Sequence, residues 1–296
     1  MITGISNATV RRINNYLHKK KARDIDACFV AEGVRLVLET PADQILSIYI
    51  AESFVKNADN VLRQFLHTHD ARTSLVSDNI FQKLSDTGTP QGILAVVQKK
   101  ERTLQEIVVT QSLPSCMTDT PGSSTPTAQQ AATVPEEQAC SNQTPLLLIL
   151  DGLQDPGNLG TILRSSEAAG ATGVILGEGT VDIYSPKVVR STMGSIYRLP
   201  FARTTDLGTT VSLLRTHGIR TVAADMNGEV TYDAFDSTSP VAFIIGNEGN
   251  GLSDTARALT QTFVSIPMCG KTESLNAAVC ASLLLFEAAR KRRHSS

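Results

Sequence analysis

The sequence predicts an α/β fold built on a parallel sheet, and three apolar runs carry this prediction. Residues 146–150, 241–245 and 263–268 are each of strand length and largely apolar. A strand in a parallel sheet is covered on both faces, so a continuous apolar run is expected there in place of an alternating one. Each run is followed by a glycine-containing turn and a helical pattern, which is the order of elements in α/β proteins.

The first of these units, residues 146–170, places one arginine beside the apolar stripe of its helix. Asn158 stands where a helix cap is expected, and Gly170 is predicted to end the helix. The stripe consists of Leu159, Ile162, Leu163 and Ser166. Arg164 lies off this stripe and can point into the crevice above the strand ends, where open parallel sheets bind ligands. From this segment alone, a solvated helix arginine remains the alternative.

The second and third units add polar groups at two further strand ends. Residues 246–251 form a glycine turn with a single acid, Glu248, and Ser253 or Asp254 could cap the next helix. In the third unit, Pro267 suits the end of a strand and Ser274 is the predicted cap of a long amphipathic final helix. A plain connection or a core helix is the alternative reading of either segment.

Together the three units resemble the three motifs of the SpoU family of RNA ribose methyltransferases, in the SPOUT class. The matching residues of the first motif are Asn158, Gly160 and Arg164. Those of the second are Gly246, Asn247, Glu248, Gly249 and Gly251. Those of the third are Ile266, Pro267, Met268, Ser274, Leu275 and Asn276. All three motifs occur in order, and Ala277 and Ala278 are a mild departure from the family pattern after the last asparagine.

The resemblance implies a Rossmann-like parallel sheet with a C-terminal trefoil knot, and transfer of a methyl group from S-adenosylmethionine to a ribose 2′-hydroxyl. It implies a cofactor held by loops 224–228, 246–251 and 266–276. The expected cofactor-binding residues are Gly246, Ile266, Leu275, Ala224, Met226 and Met268. The expected catalytic residues are Arg164, Asn158, Glu248, Ser274 and Asn276. Arg164 is the family's catalytic arginine, and we expect it to bind the target's phosphate or orient the hydroxyl rather than remove its proton, because a guanidinium holds its proton firmly.

The chain is long enough for two modest domains and an insert. Residues 1–105 are predicted to be a small α/β domain that binds RNA, because residues 19–39 and the turn at 87–92 resemble the substrate-binding domain of SpoU proteins. Residues 106–144 are predicted to be a flexible linker or insert, since Ser, Thr, Pro, Gln and Ala dominate residues 111–144 without an apolar period. Residues 145–296 are predicted to be the catalytic domain.

The net charge of −2 excludes a bulk polycation, but basic residues cluster near the start of the chain. Arg11, Arg12, Lys20 and Arg23 are the predicted RNA contacts, because such clusters can neutralise phosphates. A solvated helix face is the alternative explanation.

Several classes of site are not expected. The five histidines show no metal-ligand spacing, so no metal is predicted. The odd number of cysteines without a CxxC pair, the absence of a signal peptide pattern and the lack of a long apolar run predict a cytoplasmic protein that does not enter a membrane. Two incomplete GxGxxG patterns have Asp182 and Asp254 at the third glycine position, which disfavours a dinucleotide site.

The main hypothesis is therefore an RNA 2′-O-methyltransferase that acts on ribosomal RNA, because of its N-terminal domain. The alternatives are a transfer-RNA methyltransferase, an RNA-binding assembly factor without catalysis, and a small-molecule Rossmann-type enzyme. The resemblance further implies a homodimer whose interface includes the final helix. Leu284 and Leu285 are the residues predicted to need a second partner there, since four consecutive apolar residues, 283–286, wrap around more than one helix face.

Overall fold

The computed structural model describes residues 1–4, 6–109, 144–272 and 274–295. These residues form two β-sheets, each covered by helices on its faces. Residues 110–143 of the predicted linker lie outside the described residues.

The first sheet has four strands in the order β1-β4-β2-β3. Its strands are β1 (Cys28–Glu32), β2 (Ile45–Ala51), β3 (Thr73–Val76) and β4 (Ile93–Gln98). The β1/β4 and β4/β2 pairs are antiparallel, whereas β2 and β3 run parallel. The helices of this half are α1 (Ala8–His18), α2 (Lys20–Ile25), α3 (Val34–Leu38), α4 (Glu52–Lys56), α5 (Asn60–Thr68) and α6 (Asp78–Leu84).

The second sheet has seven strands in the order β7-β6-β5-β10-β8-β11-β9, and every neighbouring pair is parallel. Its strands are β5 (Leu146–Leu150), β6 (Gly173–Leu176), β7 (Phe201–Arg203), β8 (Arg220–Ala224), β9 (Val230–Thr231), β10 (Val241–Ile245) and β11 (Thr262–Ser265). This sheet confirms the predicted fold class. The trefoil knot that the family resemblance implies stays a prediction.

Helices lie on both faces of the seven-stranded sheet. They are α7 (Leu104–Val109), α8 (Pro156–Ala168), α9 (Pro186–Thr192), α10 (Ser195–Arg198), α11 (Leu207–Thr216), α12 (Asp254–Leu259) and α13 (Ala277–Ser295). Successive side chains of a strand point to opposite faces, so β5 divides between two cores. Leu146 and Leu148 join the cluster under α8 and α13, while Leu147 and Ile149 join the cluster that includes α7 and α11.

Helix α7 corrects the predicted start of the linker. It begins at Leu104, and Ile107 and Val108 are buried in the core of the second sheet. Ile107 and Val108 therefore pack as part of the half that holds the second sheet, because their side chains cover the β5–β6–β7 region. The composition argument for a linker applies only further along the chain.

Arginine–carboxylate pairs join the two halves. Arg23 Nη2 lies 2.6 Å from Asp182 Oδ2, and both side chains are almost fully buried. Arg198 Nη1 lies 2.6 Å from Glu39 Oε2, and Arg190 Nη2 lies 2.9 Å from Asp86 Oδ2. Each pair links a residue before 100 to one after 180, so these contacts fix the orientation of the first sheet on the second.

The prediction that Arg23 contacts RNA is wrong. Only 4% of its surface is exposed, and its guanidinium also donates to the carbonyl oxygens of Tyr16 and Leu17. Its donors are therefore directed into the protein. Its partner Asp182 is the residue that interrupted one of the two glycine fingerprints.

Candidate active site

The first two motifs meet at the carboxyl ends of the neighbouring strands β5 and β10. The carboxylate of Glu248, in the turn after β10, accepts hydrogen bonds from the amides of Gln154 (3.0 Å) and Asp155 (2.9 Å) in the turn after β5. Because parallel neighbours end at the same edge of a sheet, residues 93 and 94 positions apart in sequence come into contact here.

The third motif joins the same network through two amide side chains. Asn158 Nδ2 donates to Glu248 Oε1 at 3.0 Å, and Asn276 Nδ2 donates to Asn158 Oδ1 at 2.9 Å. One residue from each motif therefore forms a continuous chain, Glu248–Asn158–Asn276. These contacts fix the orientation of both amide side chains. The carboxylate of Glu248 can only accept, so it faces the Nδ2 of Asn158, and the backbone amide of Ala278 can only donate, so it faces the Oδ1 of Asn276.

The helix caps differ in part from the predicted ones. Asp155, rather than Asn158, caps α8, and its carboxylate accepts from the amide of Asn158. Asn276, rather than Ser274, caps α13, accepting from the amides of Ala278 and Val279. Ser253 caps α12 as predicted. In both cases the cap is the side chain that lies nearest to the free amides of the first helical turn.

Two polar residues that the sequence did not single out as site residues hold the turns in place. Asn247 Nδ2 donates to the carbonyl of Gly152 at 2.8 Å, and its Oδ1 accepts from the amides of Gly249 and Asn250. Asp151 accepts from the amide of Ser253 at 2.7 Å. Each is the first polar residue after a buried strand, and this position is the sequence feature that could have identified it.

A cavity of about 400 Å³ opens beside this network, within the size range of small-molecule sites. All six residues predicted to bind the cofactor line it, and so do Glu248 and Ser274. The six are Gly246, Ile266, Leu275, Ala224, Met226 and Met268. The predicted loops 224–228, 246–251 and 266–276 therefore surround one cavity.

Gly246 is needed where the chain turns back on itself at the cavity wall. A Cβ there would lie 2.3 Å from the carbonyl carbon of Gly251 and 2.5 Å from the amide nitrogen of Leu252, both backbone atoms. Gly160 in α8 is equally constrained, because a Cβ would lie 2.2 Å from that of Ser191 in α9. These glycines let the backbone approach closely, and any larger residue would displace the turn or the helix.

Arg164 lies on the exposed face of α8, six residues after Asn158, and does not line the cavity. It makes no hydrogen bond or ion pair within the described ranges 1–4, 6–109, 144–272 and 274–295. The neighbouring Ser165 Oγ lies 2.8 Å from Ser282 Oγ of α13, which anchors this part of α8. The helix is thus fixed, while the guanidinium donors of Arg164 bind no other described residue.

Electrostatics distinguish the titratable groups of the site. Partial burial of Glu248 opposes ionisation, but the hydrogen bonds from Asn158 and the amides of Gln154 and Asp155 outweigh it and lower the pKa of its carboxyl group. Cys280 lines the cavity, and burial raises the pKa of its thiol to about 11. Glu248 is therefore an anion at neutral pH, and Cys280 is a neutral wall residue rather than a nucleophile. Cys269, in the loop of the third motif, is exposed and is not part of the cavity lining.

Comparison with known proteins identifies the family. The sequence model of the SpoU rRNA Methylase family matches residues 145–286, and that of an MRM3-like substrate binding domain matches residues 7–95. A solved structure described as an RNA 2′-O ribose methyltransferase is 30% identical, with a TM-score of 0.72 and 99% of both chains covered.

This chain belongs to the SpoU family.

Relatives match along the whole chain and along its second half. The 23S rRNA (guanosine(2553)-2′-O)-methyltransferase RlmP of Bacillus subtilis is 28% identical over 95% of this chain and 97% of its own length. The SpoU methyltransferase AviRb from Streptomyces viridochromogenes, solved with AdoMet, is 27% identical with a TM-score of 0.77, covering 98% of this chain and all of that one. Other curated relatives align over only part of their length, for example 64% in Staphylococcus saprophyticus and 47% in Mycobacterium sp. strain KMS.

The remaining predicted site residues of this SpoU chain lie far along the sequence from the motifs. Arg11 and Arg12 are exposed on α1, and Lys20 is exposed at the start of α2. Among the residues that the structure describes, no hydrogen bond or ion pair joins their side chains to the Glu248 network. In the described part of the chain, no cluster of three or more His, Cys, Asp or Glu side chains could hold a metal ion, and none of the helices has the length and apolar character of a membrane span.

Proposed function

We propose that this SpoU chain transfers the methyl group of S-adenosylmethionine to the 2′-hydroxyl of a ribose in ribosomal RNA. The observation that carries the proposal is the convergence of the three motifs. The Glu248–Asn158–Asn276 chain borders a cavity lined by the six expected cofactor residues, and Arg164, which has no hydrogen-bond or ion-pair partner among the described residues, lies on the helix that carries Asn158.

The residues of the cavity fit this cofactor. Ile244, Ile266 and Leu275 offer apolar surface to an adenine ring, while Met226 and Met268 are flexible, polarisable side chains that can lie against the sulfonium group. Backbone amides and carbonyls of the glycine turn at 246–251 can approach closely because no side chains intervene. When bound, S-adenosylmethionine supplies an electrophilic methyl group on a cationic sulfur.

Arg164 acts on the RNA in this proposal. An arginine side chain does not give up a proton at neutral pH, so it orients the ribose through its fork of donors or binds the adjacent phosphate. Asn158, Glu248 and Asn276 fix the start of α8 and α13 and so position that arginine and the ribose. Ser274, exposed at the cavity, is the remaining proposed ribose contact. Alignment of the hydroxyl with the methyl group then supplies most of the rate enhancement.

Ribosomal RNA is favoured over transfer RNA for two reasons. The relative that matches along the whole chain, from Bacillus subtilis, is named as a 23S rRNA methyltransferase, and the N-terminal half matches a substrate-binding domain. Arg11, Arg12 and Lys20 are the proposed phosphate contacts of that half, because they are exposed and adjacent along α1 and α2. We place the protein in the cytoplasm on the basis of this substrate.

The active form is proposed to be a homodimer that pairs through α13. Leu284 and Leu285 do not form its interface, since they are 2% and 0% exposed and belong to the core. Val279 and Phe286 are instead 47% and 46% exposed, and with Thr161 of α8 they line a shallow depression. A second copy of the same face would cover these apolar side chains, next to Ala277 and Cys280 of the cofactor cavity.

The test is methyl transfer in vitro. Purified protein is incubated with labelled S-adenosylmethionine and either unmodified 23S ribosomal RNA or unmodified transfer RNA, and 2′-O-methylation is mapped by resistance of the neighbouring phosphodiester to alkali. The proposal expects a single ribose methylation in the ribosomal RNA. Methylation of transfer RNA alone would replace the substrate, and RNA binding without any transfer would favour the assembly-factor hypothesis.

A further inference from the structure

The cofactor cavity contains a charged pair that belongs to none of the three motifs. Among the described residues that line it, the charged ones are Asp225, Glu248 and Arg257. Glu248 is already engaged by Asn158 and two backbone amides. Asp225 pairs with Arg257 and accepts a hydrogen bond from the amide of Asn227 at 2.9 Å, and Arg257 is the single cation of this described lining.

The pair sits at the exposed side of the cavity. The side chain of Arg257 is 54% exposed, while that of Asp225 is 16% exposed. Ile244 and Ile245, at the opposite extreme, are 1% and 4% exposed and form part of the apolar wall. A ligand with one apolar end and one charged end is therefore most stable with the apolar end at Ile244 and the charged end toward Arg257, because a charge is costly to remove from water.

The guanidinium of Arg257 is held in place but not saturated. Its Nη1 lies 2.8 Å from Asp225 Oδ2, and the group stacks 5.6 Å from the ring centre of Phe263. An arginine has five N–H donors in a planar fork, and the pair with Asp225 uses one side of it. The other side is free to bind a carboxylate in the bidentate geometry that arginine favours.

We infer that Arg257 binds the α-carboxylate of the methionine end of the cofactor, with Asp225 fixing the guanidinium and facing the α-ammonium group. The inference rests on the proposed function and adds to it a residue that determines specificity for the amino-acid end. Arg257 lies in α12, between the second and third motifs, so no motif pointed to it. Its role follows from charge complementarity, since the zwitterion has one group of each sign and so does the pair.

Binding of two ligands separates this role from a general effect on the cavity. S-adenosylhomocysteine has the amino-acid end, whereas 5′-methylthioadenosine has the same nucleoside and thioether without it. Calorimetry should show that Arg257→Gln weakens S-adenosylhomocysteine about 10-fold, equivalent to about 1.4 kcal/mol. The affinity for 5′-methylthioadenosine should stay within about 2-fold, which also reports that the variant is folded. Arg257→Lys should give an intermediate loss, because the charge remains but the fork is absent.

The matched control is Arg215→Gln. Arg215 is exposed and donates to the carbonyl of Leu259 at 2.8 Å, so it contacts the same helix as Arg257 without lining the cavity. Both ligands should bind this variant as they bind the wild type. In the wild type, added salt should weaken S-adenosylhomocysteine and leave 5′-methylthioadenosine unchanged, since only the first depends on an exposed charge pair.

Two results would overturn the inference. Equal weakening of both ligands by Arg257→Gln would mean that the residue shapes the cavity in general, and no weakening of either would mean that the carboxylate lies elsewhere. A wild-type protein that binds neither ligand would instead reject the proposed cofactor itself, which is a separate failure.

Discussion

The arginines that join the two halves each have a carboxylate partner, whereas the arginine of the candidate active site has none among the described residues. Arg23, Arg190 and Arg198 each meet an acid from the other half of the chain. Arg164 meets none within the part of the chain that the structure describes. The first group fixes the position of the substrate-binding half, whereas the unengaged donors of Arg164 are the ones that we propose to contact RNA. The same side chain is therefore structural or functional according to what faces it.

The difference is also one of burial. Asp182 is mostly buried, which opposes its ionisation, but Arg23 and the amide of Tyr184 outweigh burial and lower the pKa of its carboxyl group. A charge of this kind cannot be left alone in the interior at low cost. An exposed arginine such as Arg164 is solvated by water until a ligand arrives, so its loss should affect reaction rate and leave stability almost unchanged.

The largest expected effect is on the buried pair. Arg23→Ala should lower the free energy of unfolding by about 3 kcal/mol, the lower end for a broken buried pair, because Asp182 would remain buried with only Arg203, 3.5 Å away, as a counter-charge. Chemical denaturation measures this change. The exposed Arg12 of α1 is the control, and Arg12→Ala should change the same free energy by less than about 0.5 kcal/mol. Equal effects of the two substitutions would remove the distinction between paired and unpaired arginines.

The exposed face of α13 extends the comparison to apolar side chains without a partner. Replacing both Val279 and Phe286 by Glu should turn a dimer into monomers, raising the dissociation constant by at least about 100-fold, or about 2.7 kcal/mol. Sedimentation velocity at micromolar concentration gives the result. Val61→Glu is the matched control, since Val61 is 63% exposed on α5 of the first half. A wild type that sediments as a monomer with full activity contradicts the proposed dimer.

The smallest expected effect concerns Glu248, the site carboxylate that accepts hydrogen bonds from Asn158 and two backbone amides. Because the folded state lowers its pKa, Glu248 contributes stability above the pKa of an unfolded glutamate, and this contribution is lost as the pH falls through the folded value. Between pH 6 and pH 3.5, the melting temperature of Glu248→Gln should therefore fall by about 1–2 °C less than that of the wild type. The control is Glu229→Gln, at an exposed acid near the same sheet edge. A wild type and Glu248→Gln with parallel profiles would contradict the hydrogen bonds assigned to this carboxylate.

The strands and motifs were predictable because burial and turns are local properties of a sequence. The strands at residues 146–150 and 241–245 have the predicted bounds, and the three motifs converge because parallel strands share one edge. The structure also puts Asn158 and Asn276 in direct contact, at a sequence separation of 118. The family resemblance, rather than periodicity, brought these residues forward together.

The errors arose where a partner distant in sequence decided the outcome. Arg23 belongs to a basic run and reads as an RNA contact until Asp182 is seen beside it. Leu284 and Leu285 read as surplus apolar residues, yet both faces they occupy are covered by the chain itself. Sequence patterns give the face of a helix, but they do not give the number of neighbours that the fold brings to it.

The central claim is that Arg164, positioned by the motif network, acts on the ribose while the cavity holds the cofactor. Single-turnover methyl transfer to unmodified ribosomal RNA, measured for the wild type and Arg164→Ala together with calorimetry of S-adenosylhomocysteine, tests it most directly. The account predicts a rate lowered by at least about 100-fold, a barrier increase of about 2.7 kcal/mol, with cofactor affinity unchanged and little rescue by Arg164→Lys. A variant that keeps more than about a tenth of the wild-type rate, a barrier change under about 1.4 kcal/mol, would make Arg164 an ordinary surface residue and contradict the account.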